Sequence, residues 1–215
     1  DRILHRGPDA SGVWGDPSAG IALGHRRLAI LDTSELGSQP MASSCGRWQI
    51  VFNGEIYNHL TLRSELEEVQ QAPNWRGTSD TETLLALIST NGLIESLRRA
   101  QGMFALALWD RKKSCLYLAR DRMGEKPLYC AQVNGRWAFS SELKPLFALP
   151  DFRPRLNRAA IASYLEVGYV PENICIFKDV FKVPPGHIFC IASPTNRASY
   201  ALEPIVFQNF DELME

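Results

Sequence analysis

The sequence is short of the features that fix a protein's chemistry at sight. Its five cysteines (Cys45, Cys115, Cys130, Cys175, Cys190) include no CxxC pair, which excludes the common zinc and dithiol redox motifs. Odd in number and scattered, they predict buried free thiols in a reducing compartment, hence a cytoplasmic protein. Charge of one sign is also missing. Lys and Arg total 23 against 24 Asp and Glu, a net charge of −1, which leaves no basic excess for a nucleic-acid partner. No apolar run approaches a membrane span; the longest, residues 103–109, has the size of a buried strand, so no membrane partner is expected. Repeats and low-complexity tracts are absent. So are an initiator Met and a signal peptide: the chain opens DRILHRGPD, and its first four residues read as the last turn of a helix. We expect a piece of a longer protein, cut at both ends.

What is present centres on residues 50–58, IVFNGEIYN. Three β-prone residues run into Asn53-Gly54, a pair that readily turns a chain. A strand ending there offers a side-chain amide beside an unhindered backbone N–H, which together can stabilise an oxyanion during attack on an amide carbonyl. A lone Asn-Gly is more often a plain hairpin turn. Two other features could converge on it. Arg27 precedes Leu28-Ala29-Ile30-Leu31, read as the core of a strand over 27–32, so its guanidinium starts beside buried residues. There it is either paired structurally or open to a carboxylate through its planar fork. Ser79-Asp80-Thr81-Glu82 is a capping box, with Glu82 expected to reach back to the cap. Asp80 is then either a favourable charge at a helix start or an anion for a ligand ammonium.

The periodicity predicts helices over 60–71, 80–90, 93–99, 141–149 and 158–167. Short strands are predicted at 13–14, 20–25, 47–52, 103–109, 114–120, 127–132, 137–140 and 187–191. This pattern describes an α+β layered domain. Arg27 on a carboxylate, Glu55 and Asp80 on an ammonium, and Asn53-Gly54 on an oxyanion would describe a pocket for an α-amino acid with a reactive side-chain carbonyl. Glutamine fits that description. His25 and His187 are expected to be structural, and Trp109 and Trp137 to pack in the core.

Eight ordered motifs then carry a resemblance: HRGPD (5–9), GHRRLAILD (24–32), QPM (39–41), FNGEIYN (52–58), SDTE (79–82), QGMFALALWD (101–110), RDRMGEKPLY (120–129) and SSELKPL (140–146). Together they resemble the class II glutamine amidotransferases, and most closely the glutaminase domain of the glutamine-hydrolysing asparagine synthetases. YLEVGYVP and KVPPGH stand where that group has its linker. The resemblance implies an N-terminal-nucleophile hydrolase fold, a four-layer αββα sandwich of two antiparallel sheets, here without its first strand and helix. It divides the chain into a glutaminase core (1–150), a C-terminal part with linker (151–200) and the irregular start of a following region (201–215). It puts Arg27 on the glutamine α-carboxylate, Asp80 with Glu55 on the α-amine, and the backbone of Ile30 and Leu31 along the pocket. Asn53 and Gly54 become the oxyanion hole, also counted among the glutamine-binding residues.

The resemblance also exposes two departures. The family's nucleophile is an N-terminal cysteine acting with its own α-amine, and no cysteine precedes Cys45 here. The 215-residue polypeptide is therefore expected not to hydrolyse glutamine. The SGGxDS pyrophosphate loop of the synthetase domain has no counterpart string. ATP and Mg are thus expected only in an absent synthetase domain of the same full-length chain, and no metal or cofactor in this one. L-glutamine and that domain are the expected partners, with a homodimer possible on the same resemblance. Two alternatives stay open: a non-catalytic scaffold module, and an amidotransferase for an acceptor other than aspartate.

Overall fold

The computed structural model describes residues 2–192 and 204–206. Its centre is a six-stranded antiparallel sheet in the order β11-β10-β6-β5-β4-β3, with β3 Met41–Ala42, β4 Trp48–Ile56, β5 Gly102–Asp110, β6 Cys115–Arg120, β10 His187–Ala192 and β11 Pro204–Val206. β5 explains why both faces are covered. Its even positions Phe104, Leu106 and Leu108 pack with Ile50, Phe52, Ile56 and the helices, whereas Ala105, Ala107 and Trp109 join Val51, Leu116 and Leu118 on the opposite side. A strand apolar at every position needs two cores, and it has them.

The helix layer comprises α1 His59–Glu68, α2 Asp80–Asn91 and α3 Leu93–Arg99. α2 is the innermost; every residue from Asp80 to Ile88 is buried. Opposite lies a second antiparallel layer in two pieces: a hairpin, β1 Ala10–Asp16 with β2 Ile21–Arg27, and a three-stranded sheet ordered β8-β7-β9 (β7 Tyr129–Val133, β8 Arg136–Ser140, β9 Val180–Lys182). A 3-10 turn at Leu146–Ala148 covers the outside of that sheet around Phe152, Cys175 and Val180. α4 Arg158–Val167 follows, its N-cap Asn157 bonded to the Cys175 and Ile176 backbone and Ala160 its one buried residue. The molecule is thus an α+β sandwich of two antiparallel layers between helical layers.

Five expectations need correction. Asn53-Gly54 does not turn the chain: β4 continues through it to Ile56, with Asn53 opposite Ala105 and Gly54 opposite Phe104. The glycine serves close approach instead, since a Cβ there would lie 2.7 Å from the Phe104 Cα. Residues 28–32 are a loop, not a buried strand: Leu28, Ile30 and Leu31 are exposed. There the Asp9 carboxylate takes the Ala29 N–H (2.8 Å) in place of a strand partner. Only Leu146–Ala148 of the helix predicted over 141–149 is helical, because Pro145 occupies its middle. Cys115 and Cys190, on neighbouring strands β6 and β10, form a disulfide; Cys45, Cys130 and Cys175 are free. Lastly, Pro204–Val206 pairs with β10, so this part of the tail is not irregular; the remainder of 201–215 lies outside the described residues.

Candidate functional site

The candidate site forms where β4 loses its outer neighbour. β3 pairs Met41 with Ile50 and Ala42 with Gln49 and then ends, leaving residues 52–56 of β4 on an edge. Tyr57 donates its N–H to Gln101 O on the β5 side (2.7 Å). Alternation therefore turns the amides of Phe52, Gly54 and Ile56 the other way, toward the edge. Side chains alternate too. Phe52 and Ile56 enter the helix-side core, while Asn53 shares the face of Val51. On that face is a cavity of about 680 Å³ between the sheet, the β1–β2 hairpin and β8. Asn53 lines it, and its Nδ2 points to Ser141 Oγ at 3.5 Å.

Asp80 meets the same edge from the start of α2. Its Oδ2 accepts the Ile56 N–H (2.9 Å) and its Oδ1 the Thr81 N–H (2.7 Å). Burial raises its pKa above the ordinary carboxylate value, with these amides and nearby His59 pulling the other way. Oδ1 also accepts the Thr81 hydroxyl (3.4 Å), so it is Oδ2 that keeps a further acceptor direction. Glu55, Glu125 and Asp121 lie close enough that, after burial, they raise the Tyr57 phenol. Acidic side chains thus gather around Tyr57, three residues beyond Gly54.

The α2 start is tightly held, though not by the expected capping box. Ser79 Oγ accepts the Thr81 N–H (3.2 Å). Glu82 passes over the cap and accepts the Arg76 and Gly77 amides (2.9 and 3.0 Å), with Arg63 and Arg76 balancing its charge.

Arg27 is buried and engaged within its own loop. Its guanidinium donates to Ser34 O (2.7 Å) and Asp32 O, and a Cβ on Gly37 would collide with it. The Asp32 carboxylate accepts the Thr78 N–H (3.0 Å), two residues before Asp80. Arg27, Asp80 and the β4 edge are thus mechanically linked, but of the expected site residues Asn53 alone lines the large cavity. Ile30 and Leu31 sit on the exposed part of the Arg27 loop.

Several residues escaped the sequence reading. Asp121 is buried, and its carboxylate accepts the amides of Phe104, Met123, Glu125 and Lys126 at 2.9–3.1 Å, which shapes the loop after β6. Arg120 fastens the same loop through Lys126 O (2.6 Å) and Gly124 O, and reaches Glu172. The string RDRMGEKPLY contained both, but alternation in a strand gives no sign of a carboxylate serving four amides. His25, expected to be structural, lines the cavity and is pushed down to about 4 by burial and then by Arg27, so it is neutral near pH 7.

A glutamine amidotransferase domain model matches residues 1–201. The chain belongs to this family. It is 39% identical over 189 residues to asparagine synthetase [glutamine-hydrolyzing] 1 of Bacillus subtilis, covering 88% of this chain and 29% of that protein. A putative asparagine synthetase [glutamine-hydrolyzing] 2 of Methanocaldococcus jannaschii is 36% identical over 84% of the chain and 38% of its own length. The amidase chry2 of Gibberella zeae is 34% identical over 92% of the chain and 28% of its length. The chain thus spans about a third of the curated relatives it matches. Among solved structures, a glutamine phosphoribosylpyrophosphate amidotransferase from B. subtilis aligns with a TM-score of 0.58 and 21% identity, over 87% of this chain and 35% of that one. That likeness establishes the fold alone, the α+β sandwich that the two chains share.

Proposed function

We propose that this chain is the glutamine-binding part of a larger ATP-dependent asparagine synthetase-like ligase, in which glutamine is hydrolysed to supply ammonia. The observation that carries the reading is the Gly54 N–H on the bare edge of β4, between the Asn53 amide and the buried Asp80 carboxylate. An amide carbonyl under attack develops negative charge on oxygen, and a preorganised donor there is worth about 2.7–4 kcal/mol of barrier. On this reading Asn53 and Gly54 stabilise the oxyanion, while Asp80 and Glu55 hold the α-ammonium. The remaining N–H groups of Arg27 take the α-carboxylate, and the backbone of Ile30 and Leu31 borders it.

The 215-residue chain alone is proposed to be inactive. Among the described residues no cysteine lines the cavity. Cys130 and Cys175 are buried. Cys45 sits against Ser89 near the far end of α2, ~13 Å along the helix from Asp80 at 1.5 Å per residue. Loss of a nucleophile can lower a rate by about 10⁶. ATP and Mg belong, on this reading, to further chain of the full-length protein, and none of the residues above is assigned to them.

A second reading, an acceptor other than aspartate, draws support from the relative named an amidase. Ammonia release from glutamine by the full-length protein, with none above background from the 215-residue chain, is the expected result. Release by the isolated chain would overturn its proposed inactivity. Absence of release from the full-length protein would favour a scaffold module.

A further inference from the structure

The QPM string has no part in the site as described, yet Gln39 stands where β3 stops following β4. The register pairs Met41 with Ile50, so two residues upstream Gln39 falls opposite Phe52. Its backbone has already left: the Gln39 carbonyl lies against Gly12, where no Cβ would fit. The side chain supplies the missing rung. Gln39 Oε1 accepts the Phe52 N–H at 2.6 Å, and Nε2 reaches Thr81 Oγ1 at 3.4 Å. Two residues beyond Gly54, Asp80 does the same for the Ile56 N–H. Of three successive edge amides, the outer two are thus held by side chains and the middle one, Gly54, has no partner among the described residues. On the β3 register its partner would be Gly37, which instead packs against Arg27.

We propose that Gln39 is a positioning residue that, with Asp80 on the other side, fixes the β4 edge so that the Gly54 N–H is presented to an oxyanion. The proposal rests on the glutaminase reading above. A donor must be oriented before charge develops to lower a barrier, and an edge strand with three free amides could bow or rotate its peptide planes. Holding Phe52 and Ile56 restrains both flanks of Gly54 without occupying it. Because Nε2 also reaches Thr81, the same side chain ties the donor to the residue after Asp80. The two groups that would read opposite ends of glutamine then move together.

Two measurements test this. Amide hydrogen exchange in the 215-residue chain should show Phe52 and Ile56 protected and Gly54 exchanging faster than both. Gln39→Met, of similar length without an acceptor, should speed Phe52 exchange by about 10-fold or more while Leu84 and Leu87 stay protected. Gln39→Glu, which keeps the acceptor, should leave Phe52 within about threefold. Equal protection of Gly54 and Phe52 in the unmodified chain, or an unchanged Phe52 in Gln39→Met, overturns the brace; the first criterion stands even if Gln39→Met does not fold. In the full-length protein, Gln39→Met should lower kcat for ammonia release by about 10- to 100-fold with KM within a few-fold, and Gln39→Glu should restore most of it. Unchanged kcat overturns the positioning role. If the unmodified full-length protein releases no ammonia, the glutaminase reading and the oxyanion role fail together, while exchange still reports on the brace.

Discussion

At the scale of single residues, Gly54 carries the tightest constraint. Its missing Cβ lets β5 approach, a demand that no other residue type meets, while its N–H faces the opposite edge. Gly54→Ala must push Phe104 and Met103 away from β4. Overpacking of this kind costs about 1–3 kcal/mol, read as a lower urea midpoint with an unchanged slope. An unaltered midpoint would mean that the strands part freely there. The sequence marked Asn53-Gly54 as chemically important but gave the wrong backbone reason. Asn-Gly favours turns locally, whereas nine residues of ladder with β5 decide the strand. Gln39 shows the converse limit: its string was noticed, but a side chain replacing a backbone rung is visible only once the register is known.

At the scale of elements, the best-read pieces were those with strong internal periodicity. α2, α3 and β5 fall within a residue of their expected bounds, because an apolar pattern that long admits one solution. Carboxylates shape both the loop at 28–32, which was misread as a strand, and the turn after β6, which was placed correctly without its cause. Asp9 takes the Ala29 amide, Asp32 takes those of Ser34 and Thr78, and Asp121 holds 122–126. The apolar run at 28–31 imitates a strand in sequence and is exposed in the fold. Asp121→Ala would strip an acceptor from four amides, two of them shared between β5 and the loop's far end. Unsatisfied buried donors cost about 1–3 kcal/mol each, so we expect a loss of at least 2 kcal/mol with faster exchange at Phe104 and Lys126. Retention of wild-type protection at both amides would contradict this account of the loop. The Cys115–Cys190 bond was hidden for a related reason: 75 residues separate the partners, and only the β6–β10 pairing brings them together. Alkylation of the unfolded, unreduced chain should modify three cysteines, and five would contradict the bond.

For the whole molecule, the charges set a pH response with a definite sign. Burial and Arg27 push His25 down to about 4 from 6.5, so the folded state resists its protonation. Its contribution to stability is complete above about pH 6.5, declines as pH falls toward 4, and is level below. Asp32 is lowered by its Ser34 hydrogen bond. Asp110, despite burial, is lowered by the bonds to Arg47 and the Lys112 and Lys113 amides. Both contributions begin to fade only near pH 4 and below. Urea unfolding at pH 7 and pH 4.5 should show a drop that His25→Gln largely removes; an equal drop in the variant would assign the loss elsewhere. The layered fold was legible from the motifs as a set, whereas the cavity and the bare β4 edge arise from how separate layers meet.

The site itself is tested most directly by following backbone amide resonances of the 215-residue chain during titration with L-glutamine, with D-glutamine as control. Our account predicts one saturable, stereoselective set of shifts that includes Gly54, Glu55 and Thr81. Saturable shifts confined to residues remote from the β4 edge, or none at all, would contradict it.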